Sequence, residues 1–577
     1  MNKKWVVKKR TKADIILQLL LNRGIDPKDK EKFFNPSFED DLHDPMKLPH
    51  IKKAISIVKE IRKKNIPTAI WGDYDTDGVT STALLYEAFE KLGIKPEVYI
   101  PTREEGYGLN IAGIDSLHKK GIEAIFALDC GVTNSKEVDY ANSLGLKMVI
   151  LDHHLPEKEI PKAVAVIDTK IPESKYPFNY LSAGGVVFKF IQALHKIYPK
   201  IITESFVKWS LDLAGISTAA DLVELKDENR TLMKYAFLVL PKLRRVGLKA
   251  LFEVSGIDPQ TITMYTLWYL IGPRLNAPGR MKDANLAFKI LIEKDDKKAL
   301  EYAKFLDKQN RERQDILAKA LEEAESRITQ KEVDQKKIII IGSRKWLSGI
   351  VGLIAGKLTE KYNVPTLVYS EGRDASKGSA RSIEAFDVTA ALRQAKKYLI
   401  SCGGHKMAAG FSFKNKDLDL FKKKLEKIAK RKIKKEDLTK KIKIDAKIKL
   451  REINLDFYEE LKKFEPTGFG NPKIIFLAKD VEIKQVRGVG KDCKHLKLSL
   501  ALDHKKITAE TAVEDKLESV SHAPFEPSHS AIAFDQGHWC KNLKVGEKID
   551  IVFCVDEDSW GGTRRVDLKI IDLRRSN

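Results

Sequence analysis

Four acidic clusters follow one another along the chain, and their side chains are of the types that bind divalent cations. The clusters are Asp73-Tyr74-Asp75-Thr76-Asp77-Gly78, Asp129-Cys130-Gly131, Asp152-His153-His154 and Ala220-Asp221. Carboxylates brought together repel one another unless cations lie between them, and mixed oxygen and imidazole ligation suits manganese or magnesium better than zinc. The clusters therefore predict a two-metal phosphodiester hydrolase.

The elements around these clusters alternate between short apolar runs and amphipathic stretches. Strands are predicted at 68–71, 96–100, 124–128 and 147–151, and helices at 79–92, 111–120 and 135–144. This alternation is typical of a parallel sheet with helices on both faces, where ligands bind beyond the carboxyl ends of the strands. Asp73, Asp129 and Asp152 each come just after a predicted strand, so we expect them to share that edge.

Other interpretations of the acidic clusters are possible. The first cluster could be an acidic turn, since aspartate and glycine are common turn residues. A calcium loop of the EF-hand type is disfavoured, because its twelfth position would be Leu84 instead of glutamate. Asp152-His153-His154 is harder to explain structurally, because two adjacent histidines after an apolar strand would place polar side chains in a core.

The remainder of the chain predicts further domains. Residues 182–292 have a helical pattern, about 295–328 reads as one long helix without glycine or proline, and 337–398 shows new α/β signals. Short strand-like runs between 442 and 572 indicate a small β-barrel. The predicted segments are an N-terminal basic arm and segment (1–49), a catalytic domain (50–294), a connecting helix (295–330), a smaller α/β domain (331–436) and a barrel (442–577).

Composition points to a polyanionic partner and a reducing compartment. The chain has 577 residues and a formal net charge of +22, which favours nucleic acid, although lysine runs such as 422–424 could equally be solvated helix faces. Five scattered cysteines are too few for a disulfide framework. No apolar run is long enough to span a bilayer, and no signal peptide is evident at the start. We therefore expect a cytoplasmic protein without membrane contacts.

The triplet Asp152-His153-His154 resembles the signature of the DHH phosphoesterase superfamily. Asp75, Asp77, Asp129 and Asp221 match its ordered catalytic motifs, and 402–410 (Cys-Gly-Gly-His-Lys-Met-Ala-Ala-Gly) resembles the motif of its DHHA1 accessory domain. Within the superfamily the chain is most similar to RecJ, the single-strand-specific 5′ to 3′ exonucleases of bacteria. Supporting motifs are 105–108, 274–280, 378–382 and 465–472. The resemblance implies a DHH domain, a DHHA1-like domain and a C-terminal barrel of the OB type.

The resemblance also implies roles for individual residues. Asp75 and Asp129 would hold one metal, and Asp77, Asp129, His153 and Asp221 the other, so that Asp129 would bridge two Mn²⁺ or Mg²⁺ ions. His154 would touch the scissile phosphate or steady the nucleophile. Asp152, and by the same argument Asp73, would orient these ligands without binding metal directly.

The chain departs from the superfamily pattern at Trp71. Many members have a histidine ligand at this position, four residues before the position of Asp75, and an indole ring cannot ligate a metal. We expect water or Asp73 to replace the missing ligand and the first metal to bind less tightly.

A second group of residues suits the phosphate backbone of a substrate. Gly378-Ser379-Ala380-Arg381-Ser382 combines small residues with a hydroxyl and a guanidinium, which fits a terminal phosphate, although a tight turn is the alternative. Arg280 could clamp the same phosphate or simply begin a helix. His405 could face the cleft between the two α/β domains or be satisfied by a turn. Arg103 is a further candidate for a backbone contact.

Candidates for base contacts lie in a loop and in the barrel. Tyr107 could stack on a base. In the barrel, aromatic residues (Phe476, His495, Phe534, Trp539, Trp560) are interleaved with basic ones (Arg487, Lys494, Lys497, Arg564, Arg565). OB barrels bind single strands through such aromatics in a basic groove, although many of these rings will be core residues instead. Trp560, Arg564 and Arg565, on a predicted hairpin, are the preferred contacts.

The leading hypothesis is an enzyme that removes nucleotides from the 5′ end of single-stranded DNA in recombination and repair. A hydrolase of short oligoribonucleotides, cyclic dinucleotides or pyrophosphate would share every metal ligand, but it would not need the barrel or the basic excess. A non-catalytic binding scaffold is disfavoured, because it has no reason to keep mutually repelling carboxylates. Single-stranded DNA is the expected partner, and a helicase and a single-strand-binding protein are candidates for delivering it.

Overall fold

The computed structural model describes residues 3–281, 284–502, 528–558 and 564–576. The chain divides into two compact units, one formed by Ser37–Lys440 and the other by Met1–Pro36 together with Lys441–Asn577. Among the described residues, no helix is both long enough and apolar enough to cross a bilayer.

The N-terminal segment forms one strand and two short helices. They are β1 (Lys4–Val7), α1 (Ile15–Asn22) and α2 (Lys30–Phe34). β1 pairs in parallel with Lys441–Ile444, and the Trp5 indole donates to Asp572 at 2.7 Å. Lys3 and Lys8 form ion pairs with acidic residues of the same unit, Asp572 and Asp445. Part of the predicted basic arm is therefore a paired strand. The sequence pattern did not indicate this strand, because its partner lies far along the chain.

The first sheet of the larger unit is parallel and has the strand order β3-β2-β4-β5-β6. Its strands and helices, in chain order, are α3 (Ile51–Lys64), β2 (Thr68–Trp71), α4 (Thr76–Lys91), β3 (Glu97–Tyr99), α5 (Ile111–Lys119), β4 (Ala124–Leu128), α6 (Ser135–Ser143), β5 (Lys147–Leu151) and β6 (Ala165–Ile167). The four strands predicted from the sequence are present. α4 begins three residues earlier than predicted, at Thr76, because Asp75 caps it.

A helical layer covers one side of this sheet. Its helices are α7 (Ala183–Ile197), α8 (Glu204–Trp209), α9 (Leu211–Ala220), α10 (Asp227–Val239), α11 (Val246–Ser255), α12 (Gly272–Met281) and α13 (Asn285–Ile292). A π-helical turn, Thr266–Ile271, leads directly into α12. The phenylalanines at positions 89, 126, 188 and 190 are fully buried in the core that joins helices and sheet. Gly184 of α7 leaves no room for a side chain against Ser217 of α9, which brings these two helices together beside Asp77.

A long helix, α14 (Asp296–Ser326), leads to the second α/β segment of the same unit. This second segment contains α15 (Gln330–Lys336), β7 (Ile339–Ser343), α16 (Val351–Tyr362), β8 (Thr366–Ser370), β9 (Ala375–Arg381), α17 (Val388–Gln394), β10 (Ser401–His405), β11 (Ala408–Lys414) and α18 (Leu418–Lys432). The sheet order is β10-β11-β9-β8-β7, and only β7 and β8 are parallel. Gly378–Arg381 lies within β9 and is therefore not the tight turn considered as an alternative.

The C-terminal part of the smaller unit is a closed barrel. It follows β12 (Lys441–Ile444), which pairs with β1 in a separate sheet. The elements of the barrel are β13 (Ala446–Lys447), α19 (Leu455–Lys462), β14 (Phe476–Val489), β15 (His495–Ala501), β16 (Ser528–Ala533), β17 (Lys548–Asp558) and β18 (Arg565–Arg575). The strand order is β13-β14-β15-β16-β18-β17, and an additional pairing of β14 with β17 closes the sheet. Closure removes exposed edges, as expected for an OB-type barrel.

Candidate metal centre

The loop between β2 and α4 presents the first two carboxylates. Asp75 caps α4 by accepting from the Gly78 amide at 3.0 Å, and the Thr76 amide donates to the Asn276 side chain at 2.9 Å. A Cβ atom at Gly78 would lie only 2.5 Å from the Asp73 carbonyl oxygen, so this tight loop requires glycine there. Asp77 then falls in the first turn of α4 and points inward.

The carboxylate of Asp77 is held by the N-terminus of α7. It accepts hydrogen bonds from the amides of Ala183 at 2.9 Å and Gly184 at 3.0 Å, and from the hydroxyl of Ser217. Burial and the nearby charge of Asp75 raise the pKa of Asp77 to about 6, although these hydrogen bonds oppose the shift. A buried carboxyl fixed in this way is preorganised to bind a cation.

The DHH triplet follows β5, and its aspartate organises the two histidines. Asp152 accepts from the Val132 amide at 3.0 Å and from the His154 Nδ1 atom at 2.8 Å. Burial alone would raise the pKa of Asp152, but its hydrogen bond with His154 holds it well below the ordinary value. Burial opposes the charge on His154, yet the same hydrogen bond raises its pKa to about 9. This ring is therefore cationic at neutral pH.

His153 lies among three carboxylates from three different elements. Its Nε2 atom is 3.2 Å from Asp129 and 3.7 Å from Asp77, and its Nδ1 atom is 3.6 Å from Asp221. Burial and the charge of His154 lower the pKa of His153 to about 3, so the ring is neutral near pH 7. A neutral imidazole is the form that ligates metals.

The predicted metal ligands converge at the edge of the sheet. Potential ligand atoms of three groups lie within 4.8 Å of one another: Asp73 with Asp75 and Asp129; Asp77 with His153 and Asp221; and Asp129 with Asp152, His153 and His154. Asp129, which follows β4 with a left-handed φ of 59°, belongs to two of these groups. Burial, followed by the charges of Asp77 and Asp75, raises the pKa of Asp129 well above its ordinary value. Such a buried carboxyl cluster fits divalent cations.

Asp73 independently indicates that this site fits a cation. Both of its carboxylate oxygens are buried, and neither has a hydrogen-bond partner among the described residues. An unsatisfied buried carboxylate is costly.

Trp71, at the position where the superfamily pattern has a histidine, is fully buried. It packs against Tyr99, with ring centroids 4.3 Å apart, in the apolar layer that contains Ile114. Asp73 is therefore better placed than Trp71 to complete the group with Asp75 and Asp129.

Tyr107, for which the sequence predicts only a base contact, lies at the metal centre. Its hydroxyl donates to the main-chain oxygen of Asp129 at 2.7 Å and is 3.2 Å from His154 ring nitrogens. The residue remains 47% exposed. Its hydroxyl is thus engaged with the site, while the role of its ring in stacking stays a prediction.

Arginines gather beside the carboxylates. Arg280 is near the end of α12, not at a helix start, and donates to the Gly349 carbonyl at 3.0 Å. Burial and the charges of Arg103 and Arg313 lower the pKa of Arg280 to about 9, with Arg381 contributing less. Arg103 lies over the ring of Tyr74 at 4.2 Å. Sequence reasoning missed Arg313, because nothing in the periodic pattern of α14 distinguishes it from other charged residues.

Ser379 and Arg381 project from the same face of β9, because residues two apart in a strand share a face. The Arg381 guanidinium donates to the Ser379 hydroxyl at 2.9 Å. Both side chains lie against Gly352, in the first turn of α16, where a Cβ atom would be 3.1 Å from Ser379 and 3.3 Å from Arg381. Helix N-termini and arginines both favour phosphate, so this corner suits a terminal phosphate group.

His405 ends β10 and is exposed. Partial removal of the ring from water, followed by the charges of His154 and Lys170, lowers the pKa of His405. The Lys170 ammonium donates to the main-chain oxygen of His153, and a contact of His405 with the strand stays a prediction.

The barrel candidates give a mixed result. Trp560 lies outside the described residues. Arg564 is exposed, but its guanidinium forms ion pairs with Glu557 and Glu459. Arg565 is exposed opposite Asp558 in the strand register. Phe476 is a fully buried core residue, whereas Phe534 is 52% exposed.

The face of the barrel near Arg565 contains both charge signs. A groove there is lined by basic residues, including Arg487 and Lys497, but also by Asp558 and Asp567. Lys497 and Asp567 form an ion pair at 3.1 Å. The groove is consequently less basic than the sequence pattern suggests.

Comparisons with known proteins agree with this architecture. The model of the DHH family, N-terminal domain, matches residues 67–216, the DHHA1 domain matches 334–431 and the RecJ OB domain matches 444–511. The fold resembles the crystal structure of RecJ in complex with Mn²⁺ from Thermus thermophilus with a TM-score of 0.82, at 24% identity, over 100% of this chain and 80% of that chain. The predicted fold class is confirmed.

Two relatives establish the family to which the chain belongs. The chain is 31% identical over 561 residues to the single-stranded-DNA-specific exonuclease RecJ of Bacillus subtilis, covering 97% of this chain and 67% of that protein. It is 30% identical over 474 residues to the RecJ exonuclease of Haemophilus influenzae, covering 79% of this chain and 82% of that protein. The resemblance expected from the motifs is thereby confirmed, and the chain belongs to the RecJ family of single-stranded-DNA-specific exonucleases.

Proposed function

We propose that this protein hydrolyses single-stranded DNA from its 5′ end in recombination and repair and that it uses two divalent cations, Mn²⁺ or Mg²⁺. The observation that supports this most directly is the convergence of Asp75, Asp77, Asp129, His153 and Asp221 around shared space beside a cluster of arginines. Relatives whose names describe single-stranded-DNA-specific exonucleases support the substrate class.

In this proposal two of the three groups of ligand atoms would each hold one cation. Asp73, Asp75 and Asp129 would hold the first, and Asp77, His153 and Asp221 the second. Asp129 would serve the second as well, because its carboxylate lies 3.2 Å from His153. When bound, such a pair of cations lowers the pKa of a water molecule and offsets negative charge on the phosphate. The protein itself keeps His153 neutral and Asp77 oriented, so that neither group has to reorganise.

His154 and its partners would position the scissile phosphate. Asp152 fixes the ring through Nδ1 and keeps it cationic, while the hydroxyl of Tyr107 contacts the same ring. A cationic imidazole beside the carboxylates would attract a phosphate oxygen and hold it against the metal centre. Removing Asp152 would therefore free the ring of His154 to move and would lower its pKa.

The 5′ polarity would come from the corner formed by Ser379, Arg381 and the first turn of α16. Hydroxyl, guanidinium and helix terminus together suit a phosphate carrying the extra charge of a chain end. Arg280, on which the charge of Asp75 acts, and Arg103, which lies over the ring of Tyr74, would contact the same phosphate or its neighbour.

Selectivity for single strands implies that other proteins supply the substrate. We propose a helicase to separate the strands and a single-strand-binding protein to keep them apart. A cytoplasmic location fits these partners, and all five cysteines are free, as expected in a reducing compartment.

An end-labelled digestion tests the proposal. Purified protein with Mn²⁺ or Mg²⁺ would receive single-stranded DNA, duplex DNA and RNA labelled at either end. We expect nucleotide release only from the 5′ end of single-stranded DNA. Turnover of dinucleotides or pyrophosphate without turnover of long strands would favour the small-substrate hydrolase, and binding without any turnover would favour a scaffold.

A further inference from the structure

Three aromatic residues form an exposed patch at the π-helical turn before α12. Tyr265, Trp268 and Tyr269 are 51%, 40% and 45% exposed. The two tyrosine rings are stacked, with centroids 4.7 Å apart and planes at 24°, and the indole meets both rings edge-on at 5.9 and 5.3 Å. The aromatic patch, as defined by these three residues, is therefore an ordered cluster instead of three separate rings.

The spacing of the aromatic patch is unusual for a surface. Residues at i, i+3 and i+4 lie on one helix face, and apolar residues at this spacing are normally buried against a core. Here the opposite face carries the buried residues Leu267 and Ile271. Large exposed aromatic clusters mark binding surfaces, and π-helical turns occur often at functional sites. The patch therefore has the features of a surface that receives a ligand.

The turn that carries the patch borders the metal centre. At its end, the Gly272 carbonyl accepts a hydrogen bond from the Thr76 hydroxyl at 2.9 Å, within the loop that presents Asp75 and Asp77. A Cβ atom at Gly272 would also lie 3.8 Å from Ala220, the residue before Asp221. The turn that carries the patch therefore contacts both segments that carry carboxylates, at Thr76 and at Ala220.

A cation with unused hydrogen-bonding capacity lies near the patch. Arg313 of α14 is 7% exposed, and its Nε atom is buried without a partner among the described residues. Its Nη2 atom contacts Asn310 at 2.9 Å. Tyr269 lies close enough to influence the charge of Arg313, and Arg313 in turn influences Arg280. Tyr269 of the patch is thus close to Arg313, whose charge in turn acts on Arg280.

We propose that the aromatic patch stacks nucleobases of the single-stranded substrate while Arg313 contacts the adjacent backbone phosphate. This inference rests on the proposed function and adds a substrate-positioning surface outside the metal and terminal-phosphate sites. Aromatic platforms beside cations bind single strands with little dependence on sequence, because every base offers a π-face. Duplex DNA keeps its bases stacked on one another, so the patch would also favour single strands.

The test compares strand binding by the full-length protein and its Trp268→Ala and Tyr265→Ala variants. Affinity for a fluorescent 5′-phosphorylated strand is measured by anisotropy in EDTA, which prevents digestion. We expect each variant to bind at least about fivefold more weakly, as for the loss of one stacked base. Trp268→Phe should retain most of the affinity, since it keeps a ring. Phe305→Ala, which removes an exposed ring outside the patch, is the matched control.

Strands with single abasic sites, placed in turn along the first nucleotides, identify what the patch binds. Wild-type protein should lose affinity at particular positions, and Trp268→Ala should be insensitive at those same positions. Equal abasic penalties in both proteins, or unchanged affinity in both variants with unchanged thermal unfolding, would overturn the proposal and leave the patch as a protein-docking surface. Failure of the proposed function is distinguishable, because wild-type protein would then not digest the unmodified strand.

Discussion

The Nε2 atom of His153 lies 3.2 Å from the Oδ1 atom of Asp129, although 24 residues separate them along the chain. The contact exists because β4 and β5 are neighbouring parallel strands whose carboxyl ends present Asp129 and the DHH triplet at one edge. The same edge receives Asp77 from α4 and Asp221 from the end of α9. Two sheet strands and two helices must therefore fold correctly before any cation could bind.

Substituting Asp129 with alanine should abolish turnover. This carboxylate belongs to the group with Asp73 and Asp75 and lies 3.2 Å from His153 of the second proposed site, so its loss would weaken both cation sites. We expect the rate to fall by about 1000-fold or more, since each 1.36 kcal/mol of lost transition-state stabilisation is tenfold in rate. Single-turnover digestion and strand binding in EDTA measure the two effects separately. Asp129→Asn controls for shape, and retained turnover in both variants would exclude the shared role.

Protonation of His154 should stabilise the metal-free protein. Its pKa in the fold is about 9, above the ordinary value of 6.5. The stabilisation is therefore complete below about pH 6.5 and is lost as the pH rises through about 9, with an upper bound of about 3 kcal/mol. Urea unfolding of wild-type protein and His154→Asn in EDTA, at pH 6 and above pH 9, measures the difference. A stability difference that does not shrink at high pH would contradict the assigned charge.

Removing Arg381 should abolish the preference for a phosphorylated 5′ end. Arg381→Ala deletes the guanidinium next to Ser379 and the first turn of α16. We expect KM for a 5′-phosphorylated strand to rise about tenfold or more, as for the loss of a hydrogen bond between charged groups. KM for a strand with a 5′-hydroxyl should change little. Equal effects on both substrates would show that Arg381 contacts the strand elsewhere.

Two glycine substitutions should have opposite outcomes. Gly78→Ala places a Cβ atom 2.5 Å from the Asp73 carbonyl oxygen, so the loop must shift. It should lower stability by about 1–3 kcal/mol and reduce turnover strongly. Gly356→Ala in α16 meets no atom within 4 Å and should stabilise the helix by about 0.5–1 kcal/mol with normal turnover. Thermal unfolding and digestion rates of both variants provide the check.

Arg564→Ala should have little effect on strand binding. The guanidinium already pairs with Glu557 and Glu459 on the barrel surface, so it is not available to a phosphate without breaking those contacts. We expect the affinity for single-stranded DNA to stay within about twofold, because exposed ion pairs of this kind contribute little. A large loss of affinity, with unchanged thermal unfolding, would restore Arg564 as a strand contact.

Local pattern and motif order were sufficient to predict the parallel sheet and the convergence of its carboxylates. Asp73, Asp129 and Asp152 follow apolar strands, and the rule that parallel strands end at one edge then places them together. The role of Asp152 in orienting His154 was predicted, and the structure has the required hydrogen bond. The predicted helix boundaries were less accurate where a capping side chain sets them, as at Thr76, where Asp75 caps α4.

Features that depend on distant partners could not be predicted. The basic N-terminal residues form a strand only because Lys441–Ile444 lies beside them. The hydroxyl of Tyr107 reaches Asp129 across a loop, and Arg313 reaches the other arginines from a helix with ordinary periodicity. Whether Arg564 is free or paired also depends on Glu459, which lies far along the chain. Each of these outcomes depends on tertiary contacts that leave no local signal.

The smaller unit contains both ends of the chain, with the whole of Ser37–Lys440 inserted between its two parts. During synthesis, β1 emerges from the ribosome long before its partner strand exists, so the larger unit can fold while β1 is still unpaired. Closing so long an insertion costs little more entropy than closing a short one, since the cost grows only logarithmically with length. The larger unit, which contains every residue of the carboxylate cluster, can therefore form that cluster before β1 has paired with Lys441–Ile444.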